Sequence, residues 1–186
     1  MRAFRRVGGA YESEIEEFEV ALLSSLADQL VELLGGDGPA DAPDLDAFER
    51  LVAAQGSGVE LDHDDPLIQR LFPDAYADPA LADEFRRFTE DDARRARIAH
   101  ADVVRRDLAA TREGAEPLSV TPGHVDAWLK TINALRLSLS VRLGIVDEAS
   151  LDALARLPAR DPRSQLVDLY DWLGYVLESL LEALAS

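Results

Sequence analysis

The chain has 186 residues, 47% apolar and 30% charged, with no cysteine and a formal net charge of −17. That composition belongs to a folded globular chain, and it excludes disulfides, thiolate nucleophiles, Cys-ligated zinc and thiol redox switches. A field of that sign repels phosphate backbones and anionic lipid and steers basic partners in, so direct nucleic-acid binding and membrane association are both disfavoured. The Leu-rich stretch after Val20 carries Asp28 and Glu32, and the C-terminal one carries Glu178 and Glu182, so neither has the pattern of a membrane span. Arg2, Arg5 and Arg6 are followed by no apolar run of the secretory kind. The cytoplasm is the expected compartment.

In chain order, Ala3 to Val7 and Ala10 to Ser13 flank Gly8-Gly9, the pattern of a two-residue hairpin. A hairpin alone is marginal in water and must pack on something, and Leu118 to Val120 is a candidate third strand. Ile15, Phe18, Leu22, Leu26, Leu30 and Leu33 predict a first helix that stops at Gly35-Gly36. A Gly/Pro/Ala/Asp linker, residues 35–43, leads to a short helix predicted at about 45–54. Four pairs, Asp65-Pro66, Asp78-Pro79, Thr121-Pro122 and Asp161-Pro162, each read as an N-cap followed by proline in the first turn. Thr89 with Asp92 resembles a further capping box.

Leu135 to Leu143 alternates apolar and polar residues as a strand would. The helical spacing of Val125, Leu129, Ile132, Leu139 and Leu143, between Thr121-Pro122 and Gly144, nonetheless predicts a helix over 122–143. Leu166, Leu169, Tyr170, Leu173, Leu177, Leu180 and Leu184 predict a last helix over 162–184. The fold class is therefore mainly α, a single domain over 1–186. Residues 1–14 form a β-hairpin appendage, and 15–186 a bundle of five to seven helices. Phe18, Leu22, Leu26, Trp128, Ile132, Leu139, Leu169 and Leu173 are the expected core.

Arg136 sits between Ile132 and Leu139 on a core-facing stripe, with Asn133 one turn before it. A buried guanidinium needs a partner, and Asp168 or Asp171, beside Tyr170 and Trp172, are the candidates. The expected contact is either a structural ion pair or the wall of a small polar pocket; a second charge-matched contact is expected for Arg70 near Pro73 and Tyr76. Each histidine has aspartate beside it (His63 with Asp62 and Asp64, His100 with Asp102, His124 with Asp126). Two of these spacings are i, i+2, which parts the side chains on a helix, and no metal site is expected. Residues 84–112 hold eight arginines and six acids, a local excess of positive charge. A helix starting at Thr89 would align Arg94, Arg105 and Arg112. Internal ion pairs such as Asp102 with Arg106 are the favoured explanation, a docking face the alternative. No G-x-S-x-G, P-loop, G-x-G-x-x-G or H-E-x-x-H occurs, and no cofactor is expected.

Three stretches carry a resemblance: Asp65-Pro66-Leu67-Ile68-Gln69-Arg70-Leu71-Phe72-Pro73 with Tyr76; Ala127-Trp128 to Asn133-Ala134-Leu135-Arg136-Leu137; and Tyr170-Asp171-Trp172-Leu173. Together with the opening Arg-x-Phe-x-Arg, they resemble an actinobacterial family catalogued as a domain of unknown function, whose members are labelled oxidative-stress transcriptional regulators of the AosR type. The resemblance implies a non-enzymatic cytosolic regulator that contacts a stress sigma factor. Arg70, Tyr76, Trp128, Asn133 and Arg136 match the family pattern. With no cysteine, this chain departs from the thiol switch attached to some relatives. A homodimer stays open. The competing reading is a small enzyme, or a ligand- or metal-binding protein, using a polar pocket around Arg136 and the acidic His63 loop.

Overall fold

A computed structural model describes residues 1–36, 61–158 and 160–186. Strands β1 (Arg5–Val7) and β2 (Ala10–Ser13) form the hairpin, and β3 (Leu118–Val120) adds antiparallel to β2. The register pairs Tyr11 with Val120 and Ser13 with Leu118. Strand alternation puts these four side chains on the buried face, so the sheet closes one end of the helical core. Six helices are described: α1 (Glu17–Leu33), α2 (Pro66–Leu71), α3 (Pro79–Ala110), α4 (Val125–Leu143), α5 (Glu148–Leu154) and α6 (Ser164–Leu184). The mainly helical class, the hairpin and the third strand follow the expectation. The helix expected at 45–54 lies outside the described residues.

Of the four proline pairs, two cap helices as expected. Asp65 accepts the Leu67 N–H at 2.7 Å, and Asp78 accepts those of Ala80 and Leu81 at 2.9 and 3.3 Å, each with proline in the first turn. The other two make turns that deliver the chain to a helix starting two or three residues late. His124 N–H returns to the Thr121 carbonyl at 2.9 Å, so α4 begins at Val125 rather than Pro122. Ser164 N–H returns to the Asp161 carbonyl at 2.9 Å, so α6 begins at Ser164 rather than Pro162. Thr89 starts nothing. It lies inside α3 and donates to the Phe85 carbonyl at 2.9 Å, because the helix has run unbroken from Asp78. Helix α5 went unpredicted, although Asp147 and Ser150 form a reciprocal cap at its start.

The core is lined by Leu23 and Leu30 of α1 and Leu34 just after it, Val104 and Leu108 of α3, Trp128, Ile132 and Leu139 of α4, and Leu173, Val176 and Leu180 of α6. Helix α4 is central, packing on α2, α3 and α6. Leu26, Trp128, Ile132, Leu139 and Leu173 are buried as expected, while Leu22 and Leu169 pack at the edge. Phe18 is a correction: it is 63% exposed. Helix α1 carries two candidate stripes, and the one that faces inward runs through Val20, Leu23, Ala27, Leu30 and Leu34. At about 100° per residue, Phe18 points well over 90° away from it.

The α3–β3 connection is the tightest corner. Arg112, Glu113 and Gly114 all have left-handed φ, at 49°, 60° and 85°. A Cβ on Gly114 would lie 2.9 Å from the Glu17 nitrogen and the Ile15 oxygen, so the corner is pressed against the start of α1. Gly114→Ala combines that backbone clash with an unfavourable φ, and should destabilise the fold by more than about 1 kcal/mol in urea denaturation. A neutral result would show that the corner can shift away from α1.

Candidate functional site

The six polar candidates, Arg136 with Asn133, Asp168 and Asp171 and Arg70 with Tyr76, do not come together at one site. Arg136 of α4 reaches α6, where its guanidinium stacks on Tyr170 with Cζ 4.6 Å from the ring centre. Gly174, one turn on, brings the α6 backbone close, and a Cβ there would sit 3.5 Å from the guanidinium. The carboxylate contact is a correction. Asp168 and Asp171 are exposed, and among the described residues Arg136 has the Tyr170 face instead of an acid, with its Nε buried and lacking a hydrogen-bond acceptor. The reason is placement: the two aspartates point away from the face of α6 that meets α4. Asn133 is exposed.

Arg70 is likewise exposed and donates to the Ile145 carbonyl at 3.4 Å, a long bond to backbone rather than a charge-matched contact. Tyr76 is 49% exposed and meets Phe85 edge-on at 5.8 Å. The cation that fastens the Phe72 region is Arg97 of α3. It stacks on Phe72 at 4.3 Å and donates to the Leu71 carbonyl at the C-terminal end of α2, where the helix dipole favours positive charge.

The arginine-rich stretch is occupied by internal contacts. Arg86 binds Asp74 and Asp83, Arg95 binds Asp92, and Arg105 lies 2.6 Å from Asp28 of α1 and 2.9 Å from Asp102. Arg106 takes the Asp102 backbone carbonyl at 3.1 Å, because the Asp102 carboxylate is engaged by Arg105. Arg112 lies beyond the end of α3, so the alignment of Arg94, Arg105 and Arg112 on one helix face does not form.

Each histidine finds its carboxylate across the fold, and every pair includes α3. His63 meets Glu90 at 2.9 Å, His100 meets Asp126 at 3.7 Å, and His124 Nδ1 meets both Asp107 oxygens at 2.9 and 3.0 Å. The last is part of a partly buried polar triad that the sequence did not disclose. Trp128, fully buried, donates its indole N–H to Asp107 Oδ2 at 2.8 Å. The carboxylate requires His124 to carry its proton on Nδ1, which leaves Nε2 as the outer nitrogen. Among the described residues, no three His, Asp or Glu side chains converge as metal ligands. An open groove of about 550 Å³ runs between α1 and the end of α3, lined by Glu17, Val20, Leu108 and Arg112 among others.

Residues 1–184 match a family described as a domain of unknown function, DUF2017. A putative oxidative stress regulator AosR of Mycobacterium leprae is 30% identical, aligned over all of this chain and 89% of its own length. The oxidative stress regulator AosR of Mycobacterium tuberculosis is 26% identical over 97% of this chain and 84% of its own. No solved structure matches.

The Arg136 geometry changes what its replacement does. With no carboxylate stranded, Arg136→Leu forfeits only the ring contact and removes a partly desolvated charge, so stability should move by no more than about 1 kcal/mol. A loss of about 3 kcal/mol or more in urea denaturation would show a buried anion partner. Asp28 gives a pH signature. Burial pushes its carboxyl above the ordinary value; Arg105 opposes this, and Glu32 and Asp102 add to it. A raised folded-state pKa favours folding at low pH, and that contribution disappears as pH rises through the folded value. Asp28→Asn should therefore gain on the parent in unfolding free energy between acid and neutral pH. A gain in the reverse direction would mean that the Arg105 attraction outweighs burial.

Proposed function

The chain belongs to the DUF2017 family, and on that premise we propose that it is a regulatory protein of the stress response, working by protein–protein contact rather than catalysis. The observation that carries the reading is the end-to-end similarity to proteins named oxidative stress regulators, at 26–30% identity. The charge agrees with it: a chain of net −17 is suited to a basic partner, and a DNA-binding transcription component such as a stress sigma factor is one. The arginines that could have offered DNA a basic face are largely engaged by the chain's own acids and carbonyls. This chain supplies no thiol of its own, since it has no cysteine. Its response to oxidation, on this reading, enters through the partner or through the amount of protein present.

The test is direct binding to purified sigma factors of the source cell, measured by calorimetry at low and raised salt. We expect a one-to-one complex whose affinity falls several-fold between about 50 and 300 mM NaCl, as contacts between opposite charges are screened. Treating this chain with a thiol oxidant before mixing should leave the affinity unchanged. Absence of binding to every sigma factor at low salt would overturn the sigma-factor reading.

A further inference from the structure

Helix α3 is 32 residues long, about 48 Å at 1.5 Å per residue, and its two halves differ. The C-terminal half buries Ala101, Val104 and Leu108, whereas from Pro79 to Ala96 only Ala82 is buried. On this N-terminal half Leu81, Phe85 and Phe88 are 50%, 42% and 77% exposed. Their i, i+4, i+7 spacing puts them within about 60° of one another, on the side opposite Val104 and Leu108. Tyr76 extends the ridge through its edge contact with Phe85. Arg86, on the other side of the helix, binds Asp74 and Asp83 and so holds the Tyr76 loop against α3.

Three large apolar side chains aligned on one solvent-facing helix edge are the anchor pattern by which an amphipathic helix enters an apolar groove. The surrounding charge identifies the groove. Between Asp74 and Asp92 lie seven acids and two arginines, and Glu84 and Asp91 flank the ridge directly. We infer that the N-terminal half of α3 docks as a preformed amphipathic helix into an apolar groove rimmed by Lys and Arg on a partner protein. A second copy of this chain fits less well, since it would bring a second −17 charge to the same place. The inference rests on the protein-contact reading above and names the surface that reading would use.

The experiment places p-benzoylphenylalanine at Phe88 in the full chain, with the same label at exposed Phe18 as the control, and irradiates cells. A protein cross-linked at position 88 and absent at position 18 is then purified and titrated with the unlabelled chain. Phe85→Ser with Phe88→Ser should weaken that binding about tenfold or more, with the helical circular dichroism and melting temperature retained. Phe88→Ser alone serves if the double variant melts early. Glu84→Lys with Asp91→Lys should weaken it as well, and the cross-linked site on the partner should be apolar with basic neighbours. Several outcomes overturn the inference: no cross-link, one to this chain only, one to an acidic site, or association with phosphatidylcholine vesicles that the Phe85 and Phe88 changes abolish. A sigma factor that binds the parent and the double serine variant equally removes the ridge but leaves the regulatory reading standing. A basic-rimmed partner unconnected with transcription removes the sigma factor and leaves the ridge.

Discussion

A buried tryptophan needs somewhere to send its N–H, and the answer in this fold ties its longest helix to its central one. Trp128 is wholly enclosed, so leaving its indole unbonded would cost about 1–3 kcal/mol. Asp107 supplies the acceptor from α3, and as a nearly buried carboxylate it has requirements of its own, which the indole and His124 together meet. Two enclosed polar groups that would each be a liability alone therefore satisfy one another, with the half-exposed His124 closing the contact from outside. The joint fixes where α3 ends relative to where α4 begins, and so sets the path of the 111–124 connection that carries β3. From β3 the order passes to the hairpin, whose Phe4 packs edge-on against the same Trp128 at 6.3 Å.

The remaining polar contacts extend that arrangement along α3. Arg105 spans to Asp28 of α1, His100 to Asp126 of α4, His63 to Glu90, and Arg97 to the end of α2. Helix α3 thus acts as a spine to which the other elements are fastened by charge, while α4 supplies the apolar surface against which they pack. The division is visible in composition: α3 holds eleven charged residues between Asp83 and Asp102, and α4 holds four in all. A strongly acidic chain can still fold compactly because its cations are placed where several acids would otherwise face one another.

Local rules carried much of this from the sequence. The hairpin, the helical period of Val125 to Leu143 and the caps at Asp65 and Asp78 are each set within a few residues, and each formed. The polar contacts were not legible, because their partners come from other elements. His124 stands two residues from Asp126 in the chain and pairs with Asp107, seventeen residues back. Arg136 called for a carboxylate on electrostatic grounds, and a tyrosine face met part of that need where two helices happen to cross. Phe18 failed for a related reason: α1 has apolar residues on two sides, and only the packing of α3 decides between them. The Phe85 and Phe88 edge was likewise hidden, since an apolar periodicity looks the same whether its face is covered or bare.

The enclosure of Trp128 also makes the chain its own optical probe. Of its two tryptophans, Trp128 is sealed from solvent and hydrogen-bonded to an anion, while Trp172 is only partly covered. A soluble quencher reaches the second and not the first. The emission left under quenching therefore belongs to the α3–α4 joint, and loosening of that joint can be followed by light with no label attached.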